Sequence, residues 1–200
     1  MSSENIRMFI AVDINKEIKN RIEEIYKKLT PITAFVKWTN MEQIHITLKF
    51  FPHFPLNKLS FFYETVSSVV CKFKPFIFTI SGLGVFPDIK HARVIWTGIQ
   101  EGLSSLYELQ SQLDHTLKAR ELADIEDRSF NPHITIARIK ETVGIKSFLE
   151  KIDINDPLFM NLGTQKVNNI KIIKSVLTPM GAQYTELKTI YFNTQPEIMQ

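Results

Sequence analysis

Five histidines occur in the 200 residues, and two of them open the same tetrapeptide. His45-Ile46-Thr47-Leu48 and His133-Ile134-Thr135-Ile136 lie 88 residues apart, with an aliphatic residue after each histidine and each threonine. Side chains alternate along an extended strand, so His45 and Thr47 share one face while Ile46 and Leu48 share the other. The same parity sets His133 and Thr135 against Ile134 and Ile136. Each segment would bury an aliphatic face and present an imidazole beside a hydroxyl on the opposite one. Either copy alone could be the solvent face of an edge strand; recurrence in two halves of one chain favours a shared site. Histidine, with a pKa near ~6.5, can take or give a proton near neutrality. In-line displacement at phosphorus wants a base where the nucleophile enters and an acid where the leaving oxygen departs. Two lobes related by a pseudo-two-fold would face the histidines across a cleft, with the threonine hydroxyls donating to non-bridging oxygens.

The flanking elements must position these groups. Met8–Ile14 is strand-like, followed by a helical stripe of Ile18, Ile22, Ile25 and Leu29 that Pro31 closes. Ala34–Trp38 and Ile44–Phe51 read as strands, with Pro52 and Pro55 punctuating the chain beyond them. Leu59, Phe62, Val66 and Val69 mark a second helix. Phe76–Phe86 and Ala92–Ile99 read as a hairpin around the Pro87–Lys90 turn. The second half repeats the grammar: a helix on Leu106, Leu109, Leu113 and Leu117, a polar acidic loop over 121–128, and a strand at His133–Ile139. A short helix over Ile145–Ile152 and closing strands at Val167–Leu177 and Tyr184–Phe192 come next, with a frayed tail from about 195. Strands and helices mix without regular β-α-β alternation, and no Pro/Gly/Ser linker divides the chain. The expectation is one α+β domain over 1–200, with two pseudo-symmetric lobes of antiparallel sheet, outer helices and a cleft between them.

Composition narrows the chemistry. The seven glycines form no G-x-x-x-x-G-K-[ST], and Gly82 and Gly84 are followed by Pro87 where a dinucleotide fingerprint needs a third glycine. The lone Cys71 rules out an internal disulfide and a multi-cysteine zinc site; set among Val69, Val70 and Phe73, it reads as a core residue. No carboxylate cluster suggests a metal, and no cofactor is expected. Net charge is +3, distributed as +5 over residues 1–100 and −2 over 101–200, a mild bias toward a phosphate-bearing ligand on one side. No segment approaches ~18 consecutive apolar residues, so no membrane span is expected, and a monomer in the cytoplasm is the default expectation.

Beyond the tetrapeptides, the chain resembles the 2H phosphoesterases, in particular the bacterial and archaeal RNA 2′,3′-cyclic phosphodiesterases, or 2′-5′ RNA ligase family. Arg7-Met8-Phe9-Ile10-Ala11-Val12-Asp13 is similar to that family's opening strand. Val36-Lys37-Trp38 with Gln43-Ile44-His45-Ile46-Thr47-Leu48-Lys49-Phe50 resembles its first motif, and Gly82–Pro87 with Ala92–Trp96 its central hairpin. Arg128-Ser129-Phe130-Asn131-Pro132-His133-Ile134-Thr135-Ile136-Ala137-Arg138 resembles its second motif, with Asn131 where the family commonly has histidine. Ser175-Val176-Leu177 and Gly181-Ala182-Gln183-Tyr184-Thr185 are similar to its closing strands. The resemblance implies hydrolysis of 2′,3′-cyclic phosphate termini of RNA or nucleotides to 2′-phosphate. It implies His45 as general acid to the O3′ leaving group, His133 as general base on water, and Thr47 and Thr135 on the phosphate oxygens. It also implies a reverse reaction forming a 2′-5′ linkage.

Further residues are candidates around these four. An arginine like Arg138 contacts phosphate in the family, yet strand parity puts it with Ile134 and Ile136; a bulge near Ala137 would return it to the site. Lys49 has the parity of His45 and Thr47 and would add positive charge to the cleft. Phe9, Phe50 and Phe130 could stack a base, Phe130 foremost because it lies in the loop entering the second motif. His53, His91 and His115 read as surface residues. Two alternatives stand beside hydrolysis of cyclic RNA ends: a nucleotide- or RNA-binding module without catalysis, and a 2H enzyme with another phosphodiester substrate, such as an RNA-trimming exonuclease or an ADP-ribose cyclic phosphodiesterase.

Overall fold

The computed structural model describes residues 4–125, 129–141, 145–179 and 181–193. Arg128 of the second motif and the tail from 195 lie outside these.

Among the described residues nine strands form one sheet. They are β1 (Asn5–Asp13), β2 (Val36–Trp38), β3 (His45–Pro55), β4 (Phe76–Phe86), β5 (Val94–Ile99), β6 (His133–Ile139), β7 (Gly163–Val167), β8 (Asn169–Thr178) and β9 (Gly181–Tyr191). The order is β7-β4-β5-β6-β3-β1-β8-β9, with β2 on the free flank of β6, and every pairing is antiparallel. The centre of this order is its weakest seam. Strands β3 and β6 share one register pair, Ile46 opposite Ile134, and diverge on either side of it. The β3 side of the seam has β3, β1, β8 and β9, and the β6 side has β6, β5, β4 and β7 with β2 on its flank, so the sheet is two half-sheets joined between the paired tetrapeptides.

The helices are α1 (Lys16–Lys28), α2 (Leu59–Val70), α3 (Leu103–Ala119), α4 (Ile145–Leu149) and α5 (Pro157–Met160). Asn15 caps α1, its side chain accepting from the Ile18 N–H at 2.9 Å, and Ile18, Ile22 and Ile25 form the buried stripe. In α3 the buried residues include Leu106, Leu109, Leu113 and Leu117, and this helix packs beside α2. The aliphatic faces of β1, β3, β6 and β8 complete one core with these stripes, Ile46 and Ile134 at its middle. Burying the aliphatic side of each strand leaves the other side for the cleft.

Three local expectations change. Strand β3 runs on through Pro52 to Pro55, because the chain makes an irregularity opposite Ile6 and Met8 where the proline falls. The strand expected from Ala34 begins only at Val36, after a 3₁₀ segment over Thr30–Phe35. Cys71 is exposed, because it stands at the C-cap of α2, one residue past the buried Val70, where the chain leaves the helix. His53, His91 and His115 are exposed, as expected.

Candidate active site

Both histidines are held by the same short-range bond. His45 Nδ1 lies 2.6 Å from the Gln43 carbonyl oxygen, and His133 Nδ1 lies 2.7 Å from the Asn131 carbonyl oxygen, each two residues upstream. A carbonyl only accepts, so the N–H is assigned to Nδ1 and Nε2 is left as the nitrogen that exchanges a proton with a ligand. His45 Nε2 is 3.0 Å from Thr47 Oγ1, which ties imidazole and hydroxyl to one point.

The strands then break their alternation at the same place. Against β1, Ile10 faces Lys49 but Ala11 faces Thr47, so Leu48 is an extra residue in β3. Against β5, Ile95 faces Ala137 but Trp96 faces Thr135, so Ile136 is an extra residue in β6. The bulges sit at equivalent points, 88 residues apart like the histidines. Each turns the following residues over. Leu48 and Lys49 are both buried, as are Ile136 and Ala137, and the next residues onto the cleft face are Phe50 and Arg138.

The cleft over the seam encloses about 800 Å³. His45, Thr47 and Phe50 line it from β3, and His133, Thr135 and Arg138 from β6. Arg7 and Phe9 reach it from β1, Lys37 and Trp38 from β2, and Ser175, Leu177 and Tyr184 from β8 and β9. Arg7, Lys37 and Arg138 give this lining positive charge, and no aspartate or glutamate is among its described residues. The field at the seam therefore favours an anion.

His45 is the more enclosed of the pair. Its ring stacks on Phe9, centroids 4.6 Å apart, with Tyr184 edge-on at 5.7 Å. Burial holds its imidazole below the ordinary histidine value. The Gln43 carbonyl and Asp13 oppose that shift, while His133 and Arg138 add to it. Asp13, the register partner of His45, is itself pulled two ways: burial raises its carboxyl, and Lys171, Lys19 and the Ile14 N–H together bring it below its usual value. His133 meets Phe86 and Trp96 edge-on, at 5.0 Å and 6.4 Å. Trp96 in turn lies over Gly84, where a Cβ would stand 2.3 Å from the indole.

The cleft thus gathers most of the residues expected from the sequence, with three corrections. Lys49 is absent from the lining; the Leu48 bulge sends it into the core, where its ammonium meets Asp114 at 2.7 Å and donates to the Asp124 carbonyl at 2.9 Å. Phe130 packs against the core and edge-on to Tyr107 of α3, 5.7 Å away, because the loop turns its ring to the apolar side before entering β6. Phe9 lines the cleft beneath His45, so its ring face is already covered and supports the histidine in place of a base. Phe50 does line the cleft, with the Arg7 guanidinium 4.4 Å over its ring. Sequence reasoning does not single out Arg7, Lys37 and Tyr184 as site residues, since each comes from a strand other than the two that hold the tetrapeptides.

Two matched strands aim histidine and threonine into one cationic cleft, an arrangement that suits a phosphate-bearing ligand. Known proteins place the chain in a family. The family described as "AKAP7 2'5' RNA ligase-like domain" matches residues 8–192. A Thermotoga maritima protein named RNA 2′,3′-cyclic phosphodiesterase is 34% identical over 191 residues, covering 94% of this chain and 96% of its own. Its namesake from Methanothermobacter thermautotrophicus is 30% identical over 183 residues, 92% of this chain and 97% of its own. The crystal structure of E. coli LigT complexed with 3′-AMP superposes with a TM-score of 0.72 at 25% identity, covering 96% of this chain and all of the other. A Thermus thermophilus structure, TT0787, shares the fold with a TM-score of 0.78 at 24% identity over 94% of this chain and 98% of its own. The chain belongs to the 2′-5′ RNA ligase-like family of 2H phosphoesterases.

Proposed function

We propose that this enzyme is an RNA 2′,3′-cyclic phosphodiesterase that opens the cyclic phosphate at an RNA or nucleotide end to a 2′-phosphate, with His45 as general acid and His133 as general base. The observation that carries it is the matched pinning of both Nδ1 atoms, which leaves two Nε2 atoms for one anion-favouring cleft. Water attacks phosphorus and passes a proton to His133 Nε2. The P–O3′ bond breaks, and O3′ takes the proton carried on His45 Nε2. The Thr47 and Thr135 hydroxyls donate to the non-bridging oxygens, and Arg138 balances their charge. Neither step requires a group that the chain itself does not supply.

Burial disfavours the charged form of His45 that this scheme requires. A bound phosphate anion opposes that shift, because a nearby negative charge favours the charged imidazole. A 5′-hydroxyl in place of water makes the same attack and yields a 2′-5′ linkage. On this reading the whole chain is one two-lobed catalytic unit.

The test is an RNA ending in 2′,3′-cyclic phosphate, incubated with the protein and EDTA, with 2′- and 3′-phosphate products resolved. We expect turnover to 2′-phosphate, and losses of about 10²–10⁴-fold in His45→Ala and in His133→Ala. Full turnover in either variant refutes the acid–base pair; nucleotide binding without turnover in the parent identifies a binding module instead.

A further inference from the structure

We infer that Tyr26, on α1 and outside the cleft, is a positioning residue for Arg138, acting through the carbonyl of the extra residue in β6. This rests on the reading of the cleft as a phosphate site and adds a residue to its machinery. The Tyr26 hydroxyl lies 2.8 Å from the Ile136 carbonyl oxygen and 2.9 Å from that of Thr39, so its one proton is shared between two acceptors. The Thr39 N–H also donates to the Ile136 carbonyl, at 2.9 Å. Ile136 is the residue that has no register partner on β5. Its carbonyl is instead served from the β2 side, by the Thr39 N–H one step beyond the Trp38–Ala137 pair and by the Tyr26 hydroxyl as a second donor from α1. The Tyr26 ring also stacks on Trp38, centroids 4.4 Å apart, and Trp38 lines the cleft.

Without the bulge, Arg138 would share the buried face of Ile134 and Ile136. The donors that fix the bulged carbonyl, with Tyr26 the only side chain between them, therefore hold the guanidinium on the phosphate side. Burial pushes the Tyr26 hydroxyl pKa up, which keeps its proton in place across the working pH range. Lobe one achieves its matching bulge differently: there the residue following the extra one is Lys49, buried on Asp114 and the Asp124 carbonyl. At the equivalent place β6 has Ala137, which carries no such anchor, and the tyrosine supplies it from outside the strand.

The test is a double-mutant cycle on kcat/KM with a cyclic-phosphate dinucleotide, using Tyr26→Phe, Arg138→Ala and the pair. Tyr26→Phe keeps the ring on Trp38 and should fold, as far-UV circular dichroism checks. We expect it to lower kcat/KM about tenfold and to weaken inhibition by inorganic phosphate about as much. Arg138→Ala should lose about a hundredfold, and the pair should be no worse than Arg138→Ala alone. A merely structural tyrosine would lower the melting temperature in both backgrounds and multiply the two kinetic losses. Independent losses, or a Tyr26→Phe enzyme within about twofold of the parent, overturn the assignment. Calorimetric binding of inorganic phosphate to the same four proteins runs the same cycle without turnover. If the parent binds phosphate and turns over no cyclic ester, the proposed reaction fails while the role of Tyr26 is still decided by the binding cycle. Equal phosphate binding in all four proteins overturns it.

Discussion

Replacing Lys49 with methionine should cost about 3–5 kcal/mol of stability and leave substrate affinity unchanged. The side chains of Lys49 and Asp114 are 3% and 7% exposed, and their charged atoms are 2.7 Å apart. Asp114 Oδ1 takes no well-aligned hydrogen bond and rests on this ion pair, while Oδ2 accepts from the Gln110 amide at 2.8 Å. Methionine keeps most of the apolar stem, so little packing is lost and the cost is that of a buried carboxylate left without its cation. In a chain of 200 residues that corresponds to a fall in Tm of about 6–20 °C. Replacing both partners, Lys49→Met with Asp114→Leu, removes the stranded charge and should return stability to within about 1 kcal/mol of the parent or above it. Urea unfolding gives the energies, and kcat/KM measured well below either Tm gives the affinity arm. A single variant that loses less than about 1 kcal/mol refutes the buried-pair account. A stable single variant with a strongly raised KM would put Lys49 back on the cleft face, where simple alternation places it.

Other perturbations test the site more directly. Arg138 disfavours charge on His45, so Arg138→Ala should move the alkaline limb of the kcat/KM profile to higher pH, besides weakening phosphate contact; an unmoved limb would separate the two groups. Because burial sets the folded His45 pKa below its unfolded value of ~6.5, the folded state binds fewer protons, and stability is lost as pH falls through that value. His45→Gln should therefore lose less Tm than the parent between pH 7.5 and 5.0, and parallel curves would contradict the shift. Gly84→Ala would place a methyl 2.3 Å from Trp96, whose indole meets His133 edge-on and would have to shift. We expect about 1–3 kcal/mol of destabilisation and a fall in kcat exceeding that in phosphate affinity, read by denaturation and initial rates.

How much of this is legible in the sequence depends on how local the cause is. His45 with Thr47, and His133 with Thr135, emerge from strand alternation, because each pair precedes its bulge. Strand β4 has the bounds its β-branched and aromatic run suggests, Phe76–Phe86. Past Leu48 and Ile136, parity fails because a bulge is set by register against a neighbouring strand, which no window of sequence contains. Alternation misplaces Lys49 for that reason, and brings Arg138 to the cleft only on condition of a bulge. Phe130 lies close to the second motif along the chain, but its loop faces α3. Strand β7, Gly-Thr-Gln-Lys-Val, is not evident from sequence because its glycine and polar residues carry little strand signal at a sheet edge.

The twin bulges have a consequence for the outcome of the reaction. A cyclic phosphodiester offers two ester oxygens that differ little in leaving ability, and a cleft of true two-fold symmetry could not distinguish them. Up to Thr47 and Thr135 the two strands are near copies; one bulge later they part, into Phe50 beneath a guanidinium on one side and Arg138 on the other. That is where the seam acquires a direction. The ratio of 2′- to 3′-phosphate is accordingly a chemical record of broken symmetry, and exchanging the side chains at 50 and 138 is the substitution that would rewrite it.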